Sequence, residues 1–185
     1  MASRPLRSLP LLSDGEVTVR PLRRSDESAW MRVRQANREW LRPWEATTPA
    51  NVPQEAVTFA GFVRKERRAW KRGEAFGGVI LVNDELVGRV TLGGIRWGAE
   101  RGGSIGYWIA ESFAGRGITT RAVRLLIAYG FEQGLHRIEI AVRPENAASL
   151  ALVAKLGFRE EGLRHAYLYI DGDWRDHRVF ARTAD

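Results

Sequence analysis

Apolar positions along this chain change period several times, and each change marks the edge of an element. Between Glu16 and Leu22, Val17 and Val19 alternate with Thr18 and Arg20, the period-two pattern of a half-buried strand. Ser25 is a good N-cap residue ahead of Asp26 and Glu27, whose charges suit the first turn of a helix that continues through Ala29, Met31, Val33 and Ala36. Pro43, Pro49 and Pro53 predict a loop over 43–53. From 54 to 72, Ala56, Phe59, Phe62, Val63 and Trp70 recur near helical spacing, and Gly73 ends the run.

Period two then returns. Residues 75–82 and 86–94 flank the Asn83-Asp84 turn as a β-hairpin, and a third strand runs from about Ser104 to Ala110. A helix over 117–133 buries Ala122, Val123, Leu126, Ile127 and Phe131, with Gly134 in the C-cap position. Residues 136–142 read as a strand and 146–156 as a helix closed by Gly157. Residues 158–170 and 174–181 form a hairpin around Asp171-Gly172. Residues 1–15, with Pro5, Pro10 and the Asp14-Gly15 turn, read as an irregular lead-in. The order β-α-α-β-β-β-α-β-α-β-β over residues 16–182 predicts one mixed α/β (α+β) domain.

Composition narrows the chemistry. The 185 residues suit a single domain, and the absence of cysteine excludes disulfides, thiolate metal sites and a cysteine nucleophile. His136, His165 and His177 have no zinc-motif spacing, so no metal is expected. The net charge is +7, and only Lys65, Lys71 and Lys155 are lysines. Arginine recognises phosphate and carboxylate bidentately; a phosphorylated ligand, RNA or an acidic partner would use it, and so would a genome of biased base composition. No apolar run is long enough to span a bilayer and no secretory signal stands out, so a cytoplasmic protein without membrane contact is expected.

The stretch Gly106–Thr120, GYWIAESFAGRGITT, carries the most chemical information. A strand ends near Ile109, a turn carries Gly115-Arg116-Gly117, and a helix starts at once. Glycines admit close backbone approach, and a helix N-terminus offers unpaired N–H groups to an anion such as a pyrophosphate. A tight strand-to-helix turn would use the same residues. The pattern is neither a P-loop nor a full dinucleotide fingerprint.

Together with RPENAASLALVAKLGF at 143–158, this segment resembles the GNAT N-acetyltransferase superfamily, over roughly residues 16–182. The resemblance implies a single-domain GNAT fold, with a central, mostly antiparallel twisted sheet flanked by helices. It implies acetyl-CoA as cosubstrate and no metal. Gly115, Arg116, Gly117, Ile118, Thr119 and Thr120 would bind the pyrophosphate, and Asn146 and Ser149 would flank the pantetheine arm. A backbone amide near Trp108, Ile109 or Ala110 would polarise the thioester carbonyl. Ser112 stands where the family usually has Gln or Arg, and Val153 replaces a tyrosine that other members use to protonate the thiolate. Trp40-Leu41-Arg42-Pro43-Trp44, HRIEIAVRPENAAS and YLYIDGDWRDHRVFA resemble the RimJ/RimL branch, which acetylates the N-terminal α-amine of ribosomal proteins. That branch implies Ser149 as the group protonating the thiolate. Its base would fall near Leu168, which is not ionisable.

Glu139, on the face of its strand opposite Ile138, Ile140 and Val142, is the first candidate base, ahead of Glu111 and Glu45. Trp40, Trp44 and Glu45 on the loop between the first two helices would wall the acceptor cleft. Asp176, with His177, would order the acceptor amine from the opposite side. The acceptor is expected to be a protein N-terminus, or else a small amine such as an antibiotic, polyamine or metabolite, with the enzyme a monomer or homodimer. Arg64, Lys65, Arg67, Arg68, Lys71 and Arg72 crowd one helix, a face that would make the chain a non-catalytic RNA- or ribosome-binding module, dock an enzyme on the ribosome, or simply be solvated. Gly102-Gly103-Ser104-Ile105-Gly106 matches a hydrolase elbow in letters, but Ser104 enters a strand instead of a strand-to-helix turn.

Overall fold

A computed structural model describes residues 11–53 and 57–184. Eight strands form one sheet: β1 (Leu12–Asp14), β2 (Val17–Pro21), β3 (Phe76–Val82), β4 (Glu85–Arg96), β5 (Gly102–Ile109), β6 (Arg137–Val142), β7 (Arg159–Ile170) and β8 (Asp173–Thr183). Their spatial order is β1-β2-β3-β4-β5-β6-β8-β7, and every neighbouring pair is antiparallel except β5 with β6. Five α-helices accompany them among the described residues: α1 (Glu27–Ala36), α2 (Arg38–Leu41), α3 (Phe59–Lys71), α4 (Ile118–Glu132) and α5 (Ala147–Lys155). The domain is thus the mixed α/β one that the periodicity predicts.

Each face of the sheet is covered by helices of matching apolar stripe. Ile118, Ala122, Val123, Leu126 and Ile127 of α4, with Leu152 and Val153 of α5, pack on one face against Val17, Ile80, Val90 and Ile138. On the other, Trp30 and Val33 of α1 and Phe59 and Phe62 of α3 cover Val79, Leu81, Leu86 and the indole of Trp108. Trp30 meets Trp108 edge-on, with centroids 5.5 Å apart.

Four local expectations are corrected. The lead-in is not irregular throughout, because Leu12–Asp14 pairs with Val17–Val19 as the first arm of a hairpin; residues 1–10 lie outside the described ones. Asp26, not Ser25, secures the start of α1. Its carboxylate accepts the Arg23 N–H at 2.7 Å and a bidentate pair from Arg20 at 2.8 Å, and a single turn of 3-10 helix over Arg24–Asp26 precedes the α-helix. Trp40 stands on α2 and not on a loop. The helix expected over 54–72 is α3, which starts later, at Phe59, because Thr58 is extended and caps it by accepting the Gly61 N–H; residues 54–56 lie outside the described ones.

Two turns follow their sequence closely. Asn83 and Asp84 take φ of +48° and +66°, and Asp171 and Gly172 +49° and +81°, the left-handed pairs that tight hairpins require.

Leu126 on α4 is fully buried in the larger core. Leu126→Ala is expected to destabilise the fold by about 2–5 kcal/mol, measured by urea denaturation.

Candidate functional site

The sheet opens in the middle. Gly102–Ser104 pair with Arg137–Glu139, and there the parallel ladder stops, although β5 runs on to Ile109 and β6 to Val142. The two strands diverge, and the gap widens into a cavity of about 290 Å³. Its walls include Tyr107, Trp108, Ile140, Val142, Arg143, Asn146 and Ser149, with Trp44, Glu45, Leu168 and His177 closing the far side.

Divergence leaves backbone groups of β5 without a partner strand. The Ala110 N–H donates to Val87 O at 2.8 Å, so Ala110 forms a hydrogen-bonded pair with β4. Antiparallel pairing alternates, so Trp108 also turns its amide toward β4, while the amides of Tyr107 and Ile109 turn toward the gap. Of the three expected amides, only that of Ile109 faces the opening. The Ile109 carbonyl accepts the Trp40 indole N–H at 3.1 Å, fixing that end of the strand against α2.

At the end of β5, a 3-10 turn (Glu111–Phe113) leads into the glycine loop. Gly115 and Gly117 take φ of +72° and +75°, and a Cβ at either position would meet nothing within 4 Å. Gly117 is the N-cap of α4 and supplies no side-chain cap, and the first turn of α4 carries no acid. The amides of Ile118, Thr119 and Thr120 thus face open space with the positive end of a helix behind them. The Arg116 guanidinium lies 5.0 Å from the Phe113 ring centroid, beside this loop. A polyanion fits here.

The first turn of α5 lies across the cavity. Asn146 caps the helix by accepting the Ser149 N–H at 3.0 Å, which leaves the Ser149 hydroxyl on the cavity wall. Tyr107 lines the same wall, and burial pushes its phenol pKa up, with the neighbouring Ser149 hydroxyl partly opposing.

The structure separates the other candidates. Glu139 does not line the cavity. Its carboxylate accepts from Arg137 at 2.9 and 3.0 Å and from Arg164 at 3.3 Å, so its oxygens are committed to two guanidiniums. Asp176 is also outside, bound to His165 Nδ1 and the Ala166 N–H at 2.8 Å each. Its neighbour His177 points the other way, into the cavity, and is only 3% exposed. Desolvation pushes the His177 pKa down, the Arg175 carbonyl opposes, and the Arg143 charge adds to the lowering. Nδ1 lies 3.0 Å from that carbonyl and must donate to it, so the neutral ring keeps its lone pair on Nε2. Trp44 and Glu45 do line the cavity, with Glu45 bonded to Arg34 at 2.6 Å and Arg143 5.4 Å from the Trp44 ring centroid. Trp40 is held at its edge by the bond to Ile109. Ser104 sits in mid-strand, where no nucleophile elbow can form.

Comparison with known proteins decides the family. An acetyltransferase (GNAT) domain matches residues 16–159. The chain belongs to the GNAT acetyltransferase family. It is 32% identical over 152 residues to the [ribosomal protein uS5]-alanine N-acetyltransferase of Escherichia coli, covering 80% of this chain and 77% of that one. Among solved structures, Mycobacterium smegmatis RimJ in complex with CoA-disulfide superposes with a TM-score of 0.85 at 40% identity, covering 95% of this chain and 87% of that one. The ribosomal-protein-S5-alanine acetyltransferase of Vibrio fischeri gives 0.83 at 30% identity, covering 95% and 97%.

This GNAT chain is therefore an acetyl-CoA-dependent N-acetyltransferase. The glycine loop, the uncapped α4 and the split between β5 and β6 together fit a long ligand with a pyrophosphate at one end. Of the pair expected to order the acceptor amine, only His177 lines the cavity, and Tyr107 on the same wall carries no signal of its own in the sequence. Both are positioned by a strand alternation whose inward face depends on where the sheet opens.

Gly117→Trp is expected to abolish acetyl-CoA binding in calorimetric titration while leaving the circular dichroism spectrum unchanged. The left-handed backbone adds about 1–2 kcal/mol of local strain, and the indole would occupy the space before the α4 amides.

Proposed function

We propose that this N-acetyltransferase modifies the N-terminal α-amine of a ribosomal protein, by direct transfer within a ternary complex. The observation that carries this reading is the cavity beside the unpaired edge of β5, where the amides of Tyr107 and Ile109 turn toward the gap and the His177 imidazole lines the wall. The relatives named for ribosomal-protein alanine acetylation support the same acceptor. Glu45 is the one carboxylate on the cavity wall, already paired with Arg34, and Arg89 and Arg143 share that wall. An acceptor with several amines would meet net repulsion there. A single α-amine of pKa about 8 needs only a modest base. Acceptors of this kind place the reaction in the cytoplasm.

The roles follow from position. The Gly115–Thr120 amides with Arg116 hold the pyrophosphate, and Asn146 fixes the α5 turn that carries Ser149. Ile109 N–H polarises the thioester carbonyl, a preorganised donor of the kind that contributes a few kcal/mol to transition-state stabilisation. His177 Nε2 accepts the amine proton, in place of Glu139. Trp44, with Trp40 behind it, forms the acceptor wall.

The basic helix supports a docking role on ribosomal RNA. Arg64, Lys65, Arg67, Arg68 and Lys71 make no ion pair among the described residues, whereas Glu66 pairs with Arg89 and Arg72 with Glu74. Two grooves of about 310 and 640 Å³ flank them, the second also lined by Arg20, Arg23 and Arg24.

A screen of synthetic N-terminal peptides against polyamines and aminoglycosides tests the acceptor; turnover confined to the small amines would overturn it. His177→Gln is expected to lower kcat by about 10²-fold or more, and Glu139→Gln by less than about threefold. Because the imidazole must be neutral, wild-type kcat should fall only as pH drops below 6.5, and the variant should lose that limb. For docking, Arg64→Glu with Arg68→Glu is expected to reduce the slope of log K against log salt for an rRNA fragment by about 1.5, with free-peptide acetylation unchanged.

A further inference from the structure

The α5 position that other family members fill with a proton-donating tyrosine holds Val153, fully buried in the core. Ser149 alone is a poor replacement, because an alcohol is a far weaker acid than a phenol. The Tyr107 hydroxyl is buried on the cavity wall with no hydrogen bond of good geometry to any described residue, and Ser149 is the polar neighbour that acts on it. A buried hydroxyl without a partner is destabilising, so its persistence at a site asks for a use. No described residue other than Ser149 is placed to take its proton.

We propose that Tyr107 is the proton source of the leaving-group side of the reaction, acting through the Ser149 hydroxyl; this rests on the acetyl-transfer reading of the cavity. As the acceptor nitrogen bonds to the carbonyl carbon, the carbon–sulfur bond breaks and its electron pair goes to sulfur. Ser149 Oγ gives its proton to the thiolate and receives one from Tyr107 Oη. The amine proton goes to His177 and from there to water, and water reprotonates the phenolate, so charge and protons balance. A phenol, even one whose pKa burial pushes up as here, is far nearer in acidity to a thiol than an alcohol is. Glu45, Arg89, Arg143 and His177 are the other titratable or charged groups on this wall. Tyr107 projects from β5 between the partly buried Trp108, which packs against the smaller core, and Gly106, where a Cβ would meet nothing within 4 Å.

The test compares wild type, Tyr107→Phe, Ser149→Ala and the double variant. Tyr107→Phe and Ser149→Ala should each lower kcat by about 10- to 100-fold, and the double variant should fall no further, because both remove one relay. The KM for acetyl-CoA and calorimetric CoA binding should stay within about twofold. The thermal midpoint of Tyr107→Phe should be unchanged or higher, since an unpartnered hydroxyl is removed; a packing role would instead lower it. A Tyr107→Phe enzyme with kcat within about twofold of wild type overturns the proposal, as does a multiplicative loss in the double variant or a loss traced to CoA binding. A wild type that fails to bind acetyl-CoA would remove the acetyl-transfer reading first, an outcome separate from any of these.

Discussion

The parallel pairing of β5 with β6 lasts for three residues on each strand, and everything chemical in this protein depends on its ending there. A continuous ladder would consume the amides of Tyr107 and Ile109 and close the sheet over the cavity. Because the strands part after Ser104 and Glu139, one strand keeps a free hydrogen-bonding edge inside an otherwise complete sheet. The covering helices are not incidental to this. α4 and α5 begin at the open ends of β5 and β6, so their N-terminal turns bring backbone donors to both sides of the same gap. The split also sets the electrostatics: it is lined by apolar strand residues and by few charges, so a lone imidazole there stays neutral and a phenol there stays protonated.

The acceptor side is built by cross-links between distant segments. Ala46 bridges to Ile170, and the Thr47 N–H donates to Tyr169 O at 2.9 Å, tying the loop after α2 to the last hairpin. Arg143 reaches across to Pro43 O at 2.6 Å. Asn37, at the end of α1, caps the 3-10 turn after β5 by accepting the Glu111 N–H at 2.8 Å. The walls around His177 are thus fastened to one another and to the strand that carries the Ile109 amide, which gives the preorganisation that electrostatic catalysis needs.

Much of the fold was legible because its signals are local. Alternation in Val17–Val19, the Asp171-Gly172 turn and the C-cap glycines after α4 and α5 each report a conformation set by neighbouring residues. β1 escaped, because three residues carry too short a period to be seen beside Pro5 and Pro10. The glycine loop and Ser149 were legible through a motif. The base was not. Alternation along β6 separates Glu139 from Ile140, but which face meets the gap depends on where two strands distant in sequence part. The same holds for Asp176 and His177, adjacent residues on opposite sides of β8. One is hydrogen-bonded within the hairpin and the other enters the cavity, a distinction that belongs to tertiary structure alone.

An open sheet has two outer edges, and both are poor templates for further strands. β1 offers three residues. β7 is longer, but its pairing shifts register between Glu160 and Gly162 and again between Arg164 and Leu168, with Ala166 at φ +45°. Those bulges, with Arg159, Glu160, Glu161 and Arg164 along the strand, bend and charge the rim against adventitious β-pairing. The same molecule therefore discourages aggregation along its perimeter while keeping unpaired strand amides in its interior, so an extended ligand finds β-type hydrogen bonds in the slot and not at the rim.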